Sequence, residues 1–207
     1  GIYYLNARYS DFRMGRVDRL IRAKLDADVK VSLADMRAWQ ANSQPLDAEL
    51  LRPTLLSAFD RAGAAGAWSQ LAALGADPAV VEAVTRIRAW DLSTPTGIRE
   101  GFDPGDNPFN LPEPSTTEIA NSVATTLYTF WRNQTVRNVL DATLTRVGLS
   151  AHLPGNEESL RALKNLFDAF PTARGRGSSG LDFFVVTGAP SPEAARDFLI
   201  LKSLKDG

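Results

Sequence analysis

Three arginines at intervals of three, Arg13, Arg16 and Arg19, run beside Met14, Val17, Leu20, Ile21 and Leu25 near the start of the chain. Steps of three and four gather the apolar residues into one stripe of an amphipathic helix, with Ser10 or Asp11 as its N-cap, and set the arginines on neighbouring parts of one face. A guanidinium partly buried beside such a stripe needs an anionic or carbonyl partner, and binding such a group is the chemistry open to it. Charge balance alone assigns Arg16 and Arg19 to a solvated face.

Other chemistry-bearing residues offer less. Gly175-Arg176-Gly177-Ser178-Ser179-Gly180 spells G-x-G-x-x-G, but a dinucleotide site needs a strand before it and a helix after it. Here a helical pattern ending at Pro171 comes first and an apolar, β-rich stretch follows, so the segment reads as a flexible loop. His152 is the single histidine, close to Gly148, Pro154 and Gly155, and no G-x-S-x-G elbow supplies it with a nucleophile. It reads as a surface or cap residue. Asp103, Asp106, Asn107 and Asn110 offer hard oxygen ligands without the spacing of a calcium loop, and read as self-capping turn residues. Asn133-Gln134-Thr135 is a formal glycosylation acceptor in the middle of a helical pattern.

Composition removes whole classes. With no cysteine, thiol catalysis, disulfides and Cys/His zinc sites are excluded. Lys and Arg total 23 against 24 Asp and Glu, a net charge of −1 that gives no support to binding nucleic acid or an anionic membrane. Hydrophobic residues at 44% and charged residues at 23% describe a globular chain of 207 residues with enough length for a core. No apolar run reaches the ~18 residues of a membrane span. Ile2 to Leu5 lacks the basic start of a signal peptide.

The elements that must position these residues are helical throughout. Ser32 with Asp35 resembles a capping box ahead of Met36 and Trp39. Leu46 to Phe59 forms a third helix in which Pro53 imposes a kink or resets the start. Short helices follow over Trp68 to Leu74 and from Asp77-Pro78 through Val80, Val84 and Ile87. Asp91 to Ser115 carries Pro95, Pro104, Pro108, Pro112 and Pro114 with Gly97, Gly101 and Gly105, a long loop that is functional or drapes over a neighbouring surface. Ser115 with Glu118 is a full capping box opening the longest helix, stopped by Gly148. A helix through Leu160, Leu163 and Phe167 ends at Pro171. Leu181 to Val186 is a short strand or an extended crossing, and Ser191-Pro192 starts a last helix to Leu204. The predicted fold is mainly α with at most one or two short strands, a single helical segment over 1–207 containing the 91–115 loop. The last helix has no evident terminator and the first residues are apolar, so both ends read as cut from a larger chain.

Read in order, Arg13-Met14-Gly15-Arg16-Val17-Asp18-Arg19-Leu20-Ile21, Ser32-Leu33-Ala34-Asp35-Met36, Trp39-Gln40-Ala41-Asn42-Ser43 and Leu50-Leu51-Arg52-Pro53-Thr54-Leu55-Leu56 resemble the penicillin acylase (penicillin amidase) family. That family places an R-x-x-R-I/V-x-R-L helix before an S-x-x-D-M/A helix, a Gln-x-Asp/Asn segment and an L-x-P-x-L helix. Val84 to Asp91 is similar to the run into its W-D-G turn, with Leu92 replacing the glycine. Glu193 to Asp206 is similar to a late helix of the family. The likeness follows the chain in order and is strongest over about residues 10–60.

The resemblance implies an N-terminal nucleophile amidohydrolase, in which a precursor cleaves itself to expose a serine whose own amine is the base. A backbone N–H and an asparagine bind the oxyanion, with an arginine supporting them. Arg13 matches that arginine. By the same resemblance the nucleophile and the oxyanion asparagine lie upstream of Gly1, and the family's structural calcium has its ligands mostly outside this stretch, so no metal or cofactor is carried over. The chain is then the mainly helical part of a large chain. Its partners are the catalytic core, the small chain and a small N-acyl substrate, and the parent is periplasmic or secreted. The Asp91–Ser115 loop and Trp39-Gln40 are the candidates for pocket-wall contact. The competing reading is a free-standing helical binding or scaffold module without catalysis.

Overall fold

The computed structural model describes residues 11–95 and 113–207. Among them every extended regular element is helical and no strand forms, as the mainly α reading requires. Chain contacts divide the protein into two compact units, Gly1–Glu49 with Asp91–Ser122, and Leu50–Trp90 with Val123–Gly207. Residues 96–112, which hold most of the proline-rich loop and all four of its candidate calcium ligands, lie outside the described residues.

In the first unit α1 (Asp11–Asp26) and α2 (Leu33–Gln40) precede the opening turn of α3 (Leu46–Ala62). The α2 capping box forms as expected: the Ser32 hydroxyl accepts from the Asp35 N–H at 3.2 Å and the Asp35 carboxylate accepts from the Ser32 N–H at 2.9 Å. The apolar stripe of α1 does not go inward as a whole. Val17 and Leu20 are half-buried, whereas Met14, Ile21 and Leu25 stand exposed, because Phe12 and Arg16 share the inward face. The Ser115–Glu118 box caps α6 (Thr116–Val136) in the predicted reciprocal way.

The second unit is built on the rest of α3 with α4 (Ser69–Gly75) and α5 (Pro78–Ala89), the end of α6, and the elements after it. Pro53 is carried inside α3 and does not reset its start. Asp77 caps α5, its carboxylate accepting from Ala79 N–H at 2.9 Å. The helix expected to run to Gly148 is in fact three pieces: α6, a five-residue π-turn at Arg137–Asp141, and α7 (Ala142–Arg146). Asn156–Asp168 is α8. Its end comes at Ala169, ahead of the expected stop, and Pro171 sits in the first turn of α9 (Phe170–Ala173), where a missing N–H costs nothing. The segment 181–186 is an extended crossing, joined to the preceding loop by one isolated bridge, Arg176 to Asp182. Finally α10 (Pro192–Asp206) buries Leu199, Ile200, Leu201 and Leu204. The Trp131 indole donates to the Ile200 carbonyl at 3.0 Å in the middle of this core.

Candidate functional site

The first unit contains a cavity of about 200 Å³. Arg13, Arg16, Val17 and Leu20 of α1 form one wall, Trp39 of α2 another, and the link Asn42 to Pro45 with Leu46 and Asp47 closes it. A side chain at Gly15 would meet Leu46 Cδ2 at 2.7 Å, so the glycine lets Leu46 close against α1. Asp47 is buried at the start of α3, where the unpaired N–H groups of the first turn favour a carboxylate.

The two arginines of the wall differ in exposure. Arg13 is an exposed side chain on the cavity rim. Arg16 is only 19% exposed and spends its guanidinium on the protein. Its Nε donates to Asn42 Oδ1 at 3.0 Å, a terminal nitrogen donates to Gln44 Oε1 at 2.7 Å, and the other lies 3.7 Å from Glu49 Oε2. Arg19 also pairs with Glu49, and Gln44 Nε2 donates to the same carboxylate at 3.2 Å. Arg16 is thus not the solvated residue that charge balance suggested. The acceptors were missed because they stand 26 and 28 residues away. The available signal was the stripe itself, which demanded a partner without naming it.

A second segment braces the link. Thr94 donates its hydroxyl to the Ser43 carbonyl at 2.6 Å, and Asn121 Nδ2 donates to Ser93 Oγ at 2.9 Å. At the head of this segment Leu92 has φ 71° with its side chain buried. This is the position at which the resemblance expects glycine, and the left-handed backbone is the conformation glycine tolerates best. The Asp91 carboxylate accepts from the Ser93 N–H at 2.7 Å to close the turn. Burial pushes the Asp91 carboxyl up, yet hydrogen bonds from Ser93 and Asn121 outweigh it and leave it below the ordinary range.

The other candidates do not assemble. His152 is exposed in a 3-10 turn, Ser150–His152. Gly175 and Gly177 of the G-x-G-x-x-G run face the Phe184 and Phe183 rings, the packing of a loop on aromatics. Trp39 lines the cavity, whereas Gln40 is not among its lining residues. Among the described residues no group of three or more His, Asp or Glu is arranged to hold a metal ion, and no helix is long and apolar enough to cross a membrane.

A family model described as penicillin amidase matches residues 2–206. No curated protein and no solved structure matches the chain.

Proposed function

From the premise that this chain belongs to the penicillin amidase family, we propose that it is the helical part of an N-terminal nucleophile amidohydrolase whose parent cleaves an N-acyl amide bond. The substrate class is an N-acyl compound such as a β-lactam side-chain amide or an acyl-homoserine lactone. The reading is supported by one observation: Arg13, which by resemblance matches the family's site arginine, stands on the rim of a cavity walled by the segments in which that resemblance is read most strongly.

In this reading the nucleophilic serine and the oxyanion asparagine lie elsewhere in the parent. The serine hydroxyl attacks the acyl carbonyl while its own α-amine takes the proton. The tetrahedral oxyanion is held by a backbone N–H and the asparagine, and Arg13 supports it as a fixed positive charge. The proton returns to the departing amine, and water then releases the acyl group from the serine. The catalytic core and small chain are the partners, and the parent works in the periplasm or outside the cell.

The test is amide hydrolysis by the full-length protein on a panel of N-acyl substrates. Arg13→Ala should lower kcat by roughly tenfold to a hundredfold, below the loss for a primary oxyanion donor. Undiminished turnover removes Arg13 from the site. Absence of turnover on every N-acyl substrate ends the amidase reading.

A further inference from the structure

The geometry points to Arg16 as the positioning residue of this site: its guanidinium fixes α1 to the Asn42–Gln44 link, and so fixes where Arg13 stands. The inference rests on the amidase reading above and deepens it.

The physical case begins with what holds α1. Apart from Phe12, no residue of its described side chains is fully buried, and Val17 and Leu20 are only half-buried. This apolar packing, the approach of Leu46 to Gly15 and the Lys24–Asp35 pair hold α1 close without setting its roll as a planar hydrogen-bonded fork does, and Arg16 supplies that fork. Its planar fork donates to two amide oxygens two residues apart, Asn42 Oδ1 at 3.0 Å and Gln44 Oε1 at 2.7 Å, with the Glu49 carboxylate behind them at 3.7 Å. Two donors in a fixed plane meeting two acceptors on one link define an orientation as well as a distance.

Those same bonds keep Arg16 from serving as a substrate ligand. Its donors point at protein oxygens, its side chain is mostly covered, and a ligand would have to displace the link to reach it. Arg13 lies one turn earlier on the same side of α1, where both residues line the cavity. Any roll of α1 released at Arg16 is therefore delivered to Arg13. The link is held from its other side as well, by the Thr94 hydroxyl on the Ser43 carbonyl. Arg19 is a weaker restraint, since its partner among the described residues, Glu49, is shared and nearly half the side chain is in water.

The experiment uses the full-length, self-processed protein, with kcat expressed per processed large chain so that folding and maturation losses are divided out. Arg16→Gln is expected to lower kcat by about tenfold to a hundredfold with little change in KM, since an ångström of misplacement is enough for that loss. Arg16→Lys is expected to rescue little, because one ammonium cannot reach both amides at once. In the Arg13→Ala background Arg16→Gln should cost less than about threefold, the mark of a residue acting through Arg13. If Arg16 variants fail to mature, Asn42→Ala removes one acceptor while leaving the cation paired with Glu49, and should show the same kcat loss in smaller measure. The inference is overturned by Arg16→Gln or Asn42→Ala enzyme with wild-type kcat, by losses that multiply with Arg13→Ala, or by a rise in KM alone. Wild-type protein without amide hydrolysis overturns the amidase reading itself and takes this one with it, a result visible before any variant is made.

Discussion

In the second unit the inward-facing side chains are mainly rings and branched hydrocarbons; among the described residues of the first, the cation of Arg16 ties α1 to the link and to α3. Tyr128 and Trp131 are fully buried with ring centres 5.6 Å apart, and Phe170, Ile87, Leu163 and Ile200 are buried as completely. The most deeply buried carboxylate of that unit is paired on the spot. Asp197, 1% exposed, accepts from Arg61 at 2.5 and 2.9 Å and from Arg196 at 2.8 Å, and Arg196 lies 4.1 Å above the Phe170 ring. Among the described residues of the first unit Phe12, Leu46, Ala48 and Leu92 are the buried apolar ones, while Met14 and Leu25 are 57% and 65% exposed. Hydrocarbon packing is strong and indifferent to direction, whereas a hydrogen-bonded guanidinium is weaker and fixes an orientation. The contrast teaches where precision resides. The unit with fewer buried apolar side chains among its described residues is the one in which polar geometry is proposed to set the placement of a functional side chain.

The largest way to break that contrast is at Trp131. Truncation to alanine removes a fully buried indole and leaves the Ile200 carbonyl without its donor, a loss of about 3–5 kcal/mol. Thermal unfolding followed by circular dichroism should show the midpoint falling by roughly 10 °C or more. Met14→Ala in the first unit should stay within about 0.5 kcal/mol of the parent. Equal losses at the two positions would mean that the first unit depends on apolar burial after all.

How far each unit can be read from the chain follows the same division. Local signals were legible: Ser32, Asp77 and Ser115 cap the helices they were expected to cap, because a cap needs only residues two or three positions away. The buried stripe of α8, with Leu160, Leu163 and Leu166, follows from its spacing. What was not legible needs partners distant in sequence or strain imposed from outside. Arg16 meets acceptors that no periodicity connects to it. The π-turn at Arg137–Asp141, which carries the buried Val139 and Leu140, interrupts a run whose apolar spacing looks continuous. The position of Leu92 was readable only through the family pattern, as a missing glycine whose backbone consequence the structure supplies.

Leu92 allows a finer test inside the first unit, where Ala and Gly can be compared. Both substitutions discard the same buried side chain, so their difference isolates the backbone. In ordinary helical or extended backbone glycine is worse than alanine by about 0.5–1 kcal/mol. At φ 71° alanine keeps the strain and glycine does not, so Leu92→Gly should be the more stable of the two by about 1 kcal/mol. Chemical denaturation of the pair reads this directly. Alanine equal to or better than glycine would show that the turn relaxes out of the left-handed region once leucine is gone.

The smallest effect concerns acid, and it separates two helices capped by carboxylates. The Lys24 ammonium, 2.7 Å away, and the Ser32 hydroxyl and N–H hold the Asp35 carboxyl at about 2, below its ordinary value of 3.8. Its folded value is depressed, so its contribution is complete above the unfolded value and is lost as pH falls through about 2. Asp77, which caps α5, is likewise held below the usual range by the Lys205 ammonium, with the Ala79 and Val80 N–H groups assisting, and it loses its contribution in the same direction. What differs is the packing behind the caps. Helix α5 buries Val80, Ala83, Val84 and Ile87, whereas α2 buries none of its residues. Protonating both carboxylates should therefore loosen α2 while α5 stays closed. Amide hydrogen exchange between pH 5 and pH 2, corrected for the intrinsic acid dependence of exchange, should show protection lost first from Met36 to Gln40. Protection in α2 that persists to pH 2, or α5 opening before it, would show that α2 is held by something other than its cap and the Lys24 pair.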